Sequence, residues 1–366
     1  MSLPENRGTD PLPRTQEAWR RFNQTFAVVL AGAFGILFFL IYLIDPWGVV
    51  PFALPMDRPL VDIKQRHLYP MVIRSGRYDS VIIGNSTIRL LDPDDLDDKL
   101  NAGFANLAMN DGRAFEQWRL ADLYLRELGP PRNIIVGLDG TWCHPEADAR
   151  ENRITGRGFP EWIYDENPWN DLLHVFNVRT VEFAGRVIVT KAGLRPKRLG
   201  DNGFAVFVPP ENDYDPEKAA AHIWGDGPRS ITPVVPAVTL TQEERRSLSF
   251  PAHKWLSDLM NRTDGATRFI LLWAPVHIRS QPVPGSHAAA VEEACKSRID
   301  ALALDADAVV IDWRRHSAVT SVDLNYWDAL HYRIPIAKRI AGCIIDTVSG
   351  GAVETGTPWR VRIAPQ

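Results

Sequence analysis

Residues 26–44, FAVVLAGAFGILFFLIYLI, are apolar on every side. At about 1.5 Å rise per residue they make a helix roughly 28 Å long, close to the thickness of a bilayer core. A core helix of a soluble domain keeps a polar stripe, so the pattern predicts a transmembrane anchor. A cleaved signal peptide has a shorter apolar region, about 7–15 residues, ending in small residues; this run closes on Leu43-Ile44-Asp45-Pro46 and suits retention. Beyond it, short apolar runs alternate with amphipathic stretches. Residues 80–83, 103–107, 133–138, 268–274 and 308–311 read as buried strands, the first ending at Gly84. Residues 114–128 place Phe115, Trp118, Leu120, Leu123, Tyr124 and Leu125 at helical spacing and stop before Gly129-Pro130-Pro131. Residues 169–188, 288–304 and 336–348 read as further helices. Strands alternating with helices predict an α/β domain with a parallel sheet covered on both faces. The Pro-rich residues 45–78 read as a linker wrapping onto that domain, which spans 79–348. Residues 150–250 break the rhythm and are expected to form an inserted lid or substrate-binding cap. The Gly-rich residues 349–366 read as a loose tail.

Composition narrows the class. Of 366 residues, 45% are hydrophobic and 23% charged, which excludes wholesale disorder. A net charge of −4 supplies no general field for nucleic acid. Arg14, Arg20 and Arg21 precede the apolar span, and no basic residue follows it until Arg58. The positive-inside bias therefore predicts a cytoplasmic tail over residues 1–25 and a large domain on the far side, in the periplasm of a bacterial inner membrane. Tyr42 and Trp47 suit the far interface. Ala27, Ala31 and Gly35 give one face of small residues, a common property of membrane helices. Cys143, Cys295 and Cys343 are too few for a disulfide scaffold and lack metal-ligand spacing; one bridge with a thiol left over and three buried free thiols both remain open. The acidic run over 92–98 lacks the spacing and glycine of a calcium loop and reads as a helix start. No phosphate-cradling glycine loop, dinucleotide fingerprint or zinc motif is present, so no cofactor and no metal are implied.

Two short motifs carry candidate chemistry. Gly84-Asn85-Ser86 follows directly on the first strand, where a serine is exposed at the strand's carboxyl end and the glycine tolerates a tight turn. Asp328-Ala329-Leu330-His331 precedes the last helix. A serine hydroxyl needs an imidazole to take its proton, and the imidazole needs a carboxylate to fix its tautomer; an Asp three residues before a His supplies both from one loop. Around these motifs, Arg89 is a candidate for an anionic substrate group, with Asp92 or Asp94 as alternative partners. His277 follows the fourth strand and is a candidate substrate contact or a plain loop histidine. Trp142, Trp273 and Trp327 flank the same sheet edge, as sugar platforms or as packing.

With these residues the chain resembles the SGNH/GDSL hydrolase superfamily, in which an early strand ends in a Gly-Asp-Ser-like block and a late Asp-x-x-His completes the triad. Gly84-Asn85-Ser86 matches the first block with Asn for Asp, and Asp328 and His331 match the last. Asn106-Leu107-Ala108-Met109-Asn110-Asp111-Gly112 is similar to the second block, whose glycine lends a backbone N–H to the oxyanion hole. Gly137-Leu138-Asp139-Gly140 stands where the family has Gly-x-Asn. Asp139 is an acceptor when ionised and cannot replace that donor, which leaves Asn110 or another group to substitute. The resemblance covers residues 79–140 and 265–348 and implies a three-layer flavodoxin-like fold. It further implies Ser86, Asp328 and His331 as the catalytic residues, an oxyanion hole from Ser86, Gly112 and Asn110, and substrate contacts at Arg89, Asp139, Trp142, His277 and Trp327. The layout is most similar to the membrane-anchored envelope acyl-transfer branch, which includes accessory proteins of teichoic-acid D-alanylation and of alginate and cellulose acetylation. That implies an O-acyltransferase or acyl-shuttle subunit acting on an envelope polysaccharide beside a membrane-bound O-acyltransferase. An exported carboxylesterase and a non-catalytic polysaccharide-binding subunit are the alternatives.

Overall fold

Six strands, β1 (Ser80–Ile83), β2 (Phe104–Asn106), β3 (Asn133–Leu138), β4 (Arg268–Trp273), β5 (Val309–Asp312) and β6 (Arg360–Ile363), form one sheet in the order β2-β1-β3-β4-β5-β6. The computed structural model describes residues 12–50, 53–54, 56–263, 265–351 and 356–365. The first five strands are parallel, as their unbroken apolar runs predict. β6 pairs antiparallel with β5, so the sheet is mixed rather than wholly parallel. This corrects the reading of residues 349–366 as a loose tail. Arg362 reaches Asp300 at 2.6 Å and Arg360 reaches Glu293 at 2.9 Å, tying the strand to the helix beneath it. Successive side chains of β1 enter opposite cores: Val81 and Ile83 one, Ile82 the other.

The helices are α1 (Leu12–Ile44), α2 (Gln65–Arg74), α3 (Asp94–Leu100), α4 (Ala114–Leu128), α5 (Arg150–Arg153), α6 (Glu161–Tyr164), α7 (Pro168–His174), α8 (Val178–Lys191), α9 (Pro216–Trp224), α10 (Gln242–Ser247), α11 (His253–Thr263), α12 (His287–Asp305) and α13 (Ile334–Val348). α3 begins in the acidic run, with Asp94, Asp95 and Asp97 in its first turn. α2, α4, α11 and α12 cover one face of the sheet, α3 and α13 the other. β1 sits between β2 and β3, so the strand order reverses there and a crevice opens at the carboxyl ends, the usual site of function in open α/β sheets.

α1 is long and apolar enough to cross a membrane, and it begins well before residue 26. Residues 1–11 of the expected cytoplasmic tail lie outside the described residues. The helix stops at Asp45, whose carboxylate accepts from the backbone of Val49 and Val50 at 3.0 Å each, while Arg58 Nε donates to the Ile44 carbonyl at 2.9 Å. Residues 45–78 hold more than a linker: α2 lies within them and packs against α4, burying Leu68, Tyr69, Val72 and Ile73.

The helix expected over residues 169–188 is two. The chain breaks after α7, and the Asn177 side chain accepts from the Thr180 N–H at 3.0 Å to start α8. Nor is the insertion a single lid. α7 and α8 pack beside α1, and Phe183 of α8 meets Trp47, just past the end of α1, at 4.4 Å between ring centroids. The later part, including α9, braces the loop that carries His331. Cys143 and Cys295 form a disulfide, settling the open question of their state, and Cys343 is free and buried.

Asp171 of α7 is buried, with Oδ1 lacking a hydrogen-bond partner, and burial pushes its carboxyl up to about 7. The folded state therefore holds this proton more tightly than the unfolded chain, whose Asp releases it near 4. Stability is expected to fall as pH rises from about 4 to 7 and to level off above. Asp171→Asn is expected to flatten that slope and add roughly 2 kcal/mol at pH 8, read from melting curves across pH.

Candidate active site

Ser86 opens a one-turn 3-10 helix, Ser86–Ile88, directly behind β1. Asn85 starts the turn, its Oδ1 accepting from the Thr87 N–H at 2.9 Å. The turn lies close on the sheet because two neighbouring strands carry glycines beneath it. A Cβ at Gly84 would stand 2.5 Å from Ile88 Cγ2, and one at Gly137 would stand 2.8 Å from the same atom. Gly84 is thus required for space above the sheet, since its φ is not in the left-handed region.

The second motif meets the first. His331 Nε2 lies 2.9 Å from Ser86 Oγ, and His331 Nδ1 lies 2.7 Å from Asp328 Oδ2. Asp328 Oδ1 also accepts from the backbone N–H of Leu330 at 2.7 Å and of His331 at 2.9 Å, which locks the loop. Burial works to raise the Asp328 carboxyl, but its bonds to His331 and Leu330 prevail and hold it below the usual range. Asp328 is therefore ionised at neutral pH and orients a Nδ1–H imidazole, leaving Nε2 to accept from the serine. At its base the loop is pinned by a Tyr326–Tyr332 bridge and by Trp327 N–H donating to the His331 carbonyl at 2.8 Å.

A cleft of about 530 Å³ opens over Ser86 and His331, with Asn110, Asp139, Arg113, Arg157 and Phe207 in its wall. Asn110 is fixed by Arg89, whose Nη1 donates to Asn110 Oδ1 at 2.7 Å. A guanidinium has no acceptor, so the oxygen must face Arg89 and the amide Nδ2–H groups remain available at the cleft wall. The Ser86 N–H, at the first position of its turn, has no partner inside that turn. Gly112 does not fit its expected place: its N–H donates to the Met109 carbonyl at 3.1 Å, closing a turn. The arrangement thus offers two donors, Ser86 N–H and Asn110 Nδ2, for a developing oxyanion. Asp139 lines the cleft but is held by Thr141 N–H at 2.6 Å, and burial pushes its carboxyl up.

Four expected substrate contacts, and the candidate platform Trp273, are placed elsewhere. Arg89 is buried behind the wall, its guanidinium 4.6 Å from the Phe207 ring centroid, and it pairs with neither Asp92 nor Asp94. Trp142 is turned into the core, donating to Gln117 Oε1 at 3.1 Å. Trp273 is buried as well. Trp327 faces α9, edge-on to His222 at 4.9 Å. His277 is fully buried and braces the His331 loop: its Nε2 lies 3.0 Å from Asp323 Oδ1, and its backbone N–H donates to the Ala329 carbonyl at 3.0 Å.

Several residues that matter carry no motif. Phe207 stands edge-on to the His331 ring at 5.1 Å. The guanidiniums of Arg113 and Arg157 have no carboxylate partner among the described residues. Arg66 of α2 forms a bidentate pair with Glu116 of α4, 2.7 Å on each arm, and donates to the carbonyls of Asn110 at 3.0 Å and Asp111 at 3.3 Å. Gln65 Oε1 accepts from the Asn110 N–H at 2.8 Å. The segment read as a linker therefore builds the wall that presents Asn110. Compared with protein-family models, with curated proteins and with solved structures, the chain matches none.

Proposed function

We propose that the chain is a membrane-anchored, exported SGNH-type O-acyltransferase, or the acyl-shuttle subunit of one, acting on an envelope or extracellular polysaccharide. The carrying observation is the hydrogen-bonded chain Ser86–His331–Asp328 at the point where the strand order reverses. The order β2-β1-β3-β4-β5 is that of flavodoxin-like doubly wound sheets, which supports the SGNH fold. The disulfide supports an oxidising compartment, with α1 anchoring a bacterial inner-membrane protein whose N-terminus is cytoplasmic and whose domain is periplasmic. A membrane-bound O-acyltransferase is the partner that would deliver the acyl group.

In the proposed reaction Ser86 Oγ attacks the acyl carbonyl while its proton passes to His331 Nε2, and the Ser86 N–H and Asn110 Nδ2 meet the oxyanion. The tetrahedral intermediate collapses, His331 returning that proton to the departing oxygen or sulfur, and an acyl-serine remains. An acceptor hydroxyl then gives its proton to His331, attacks the acyl-serine, and frees Ser86 as the proton returns to Oγ. With water in that place the same steps describe an esterase. The unpaired guanidiniums of Arg113 and Arg157 favour an acceptor bearing anionic groups over water.

The test is covalent labelling of the full chain in detergent with a fluorophosphonate, read by peptide mass spectrometry. An adduct on Ser86 that is absent in Ser86→Ala and His331→Ala is the expected result. A folded protein that never labels would leave the fold as a binding subunit. Competition between water and sugar acceptors for an acetylated Ser86 then separates transferase from esterase.

A further inference from the structure

α8 buries Thr180, Phe183, Ala184 and Val187 against the domain and turns Val178, Val181, Gly185 and Ile188 outward, one face at helical spacing. α7 adds Trp169 and Leu173, 74% and 76% exposed. An apolar face of this extent on a domain surface needs a cover. Its position says what the cover is. Phe176, in the turn between α7 and α8, packs edge-on against Phe38 of α1 with centroids 3.9 Å apart, and against Tyr42 at 4.9 Å. Tyr42 Oη donates to the Leu172 carbonyl at 3.3 Å. Phe38 stands six residues before the end of α1, roughly 9 Å down the helix axis from Ile44 at 1.5 Å per residue. A side chain touching Phe38 lies below the level at which the apolar span ends.

We propose that α7 and α8, with the turn between them, form a second membrane contact: a helical pair lying in the interface of the bilayer that α1 crosses, its apolar face in the acyl region. The occupant of the face is lipid, because the same turn packs on a part of α1 that is itself surrounded by lipid when α1 spans. Arg179 beside the face and Arg195 just after it make no ion pair among the described residues, which leaves their charges available to lipid phosphates. The contact fixes how the domain sits on the membrane, since a single helix would leave it free to swivel. It rests on α1 being a span and does not depend on the chemistry of Ser86.

The experiment uses the unmodified full chain in vesicles of phosphatidylcholine and phosphatidylglycerol carrying a diazirine in the acyl chain. After irradiation, lipid adducts are mapped by mass spectrometry. Adducts are expected on peptides from residues 12–44 and from residues 168–194, and not on α10. Adducts on 12–44 alone would overturn the proposal and reserve the face for a protein; no adducts on 12–44 would instead overturn the span itself. A nitroxide at Leu173→Cys, in a Cys343→Ser background, gives the second readout. Its oxygen-to-nickel-chelate accessibility is expected to be several-fold above that of a nitroxide at Glu243→Cys. Equal ratios would also overturn the proposal.

Discussion

Asp328→Asn is expected to lower acyl transfer, or ester hydrolysis as its surrogate, by a factor on the order of 10⁴ while leaving the fold intact. The reason lies in the two oxygens of Asp328. Oδ1 accepts two backbone N–H groups, so the Asn oxygen must occupy that position. The amide nitrogen then falls where Oδ2 stood, 2.7 Å from His331 Nδ1. An NH₂ donates there instead of accepting, and the imidazole must carry its proton on Nε2. That nitrogen now points a hydrogen at Ser86 Oγ and cannot take the serine proton. The measurement is single-turnover acylation with an activated ester, wild type against Asp328→Asn, with melting points alongside. Activity within tenfold of wild type at an unchanged melting point would mean that His331 does not act as base.

The second large effect is expected away from the chemistry. Glu116→Gln leaves the Arg66 guanidinium buried against a neutral amide, and breaking a buried ion pair from one side typically costs about 3–5 kcal/mol. At about 2–4 °C per kcal/mol for a domain of this size, the melting point should fall by roughly 6–20 °C. Arg66 also holds the carbonyls of Asn110 and Asp111, so the surviving folded protein should acylate more slowly with little change in the apparent affinity for ester. Replacing both partners, Arg66→Met with Glu116→Leu, is expected to recover most of the stability but not the acylation rate, because no donor then holds the Asn110 and Asp111 carbonyls. Thermal melts and single-turnover rates on the three proteins check both halves.

The contrast between these two sites also shows what the sequence can disclose. Strands β1 to β5 were legible because a parallel strand buried on both faces is an unbroken apolar run, and because parallel strands alternate with helices. Ser86, Asp328 and His331 were legible because their chemistry demands particular residue types at particular ends of strands. Arg66, Gln65 and Glu116 were not. Their roles come from partners some fifty residues away, as the span from Arg66 to Glu116 shows, and nothing in the local pattern marks them. β6 was hidden by its own composition: Arg360-Val361-Arg362-Ile363 reads as polar until Asp300, Asp312 and Glu293 are brought beneath it. Trp142 was misassigned for a geometric reason. It follows Asp139 closely in the chain, but the 3-10 turn Gly140–Cys143 swings it to the opposite side, into the core.

The Cys143–Cys295 bond spans a sequence separation of 152, and the whole insertion together with β4 lies between the two cysteines. Topologically the chain is a closed ring with two tails: one holds α1 and the Ser86 turn, the other the Asp328–His331 loop. A protease that cuts anywhere in the exposed stretches of the ring opens it without releasing a piece. Ser86 and His331 therefore remain parts of one covalent molecule after a nick that would split an unbridged chain. Nicked protein should run at full size on a gel until a reductant is added, and then fall into two fragments, one with Ser86 and one with His331. A loop in that ring can be cut, lengthened or replaced by another while the two halves of the site stay tethered to one another.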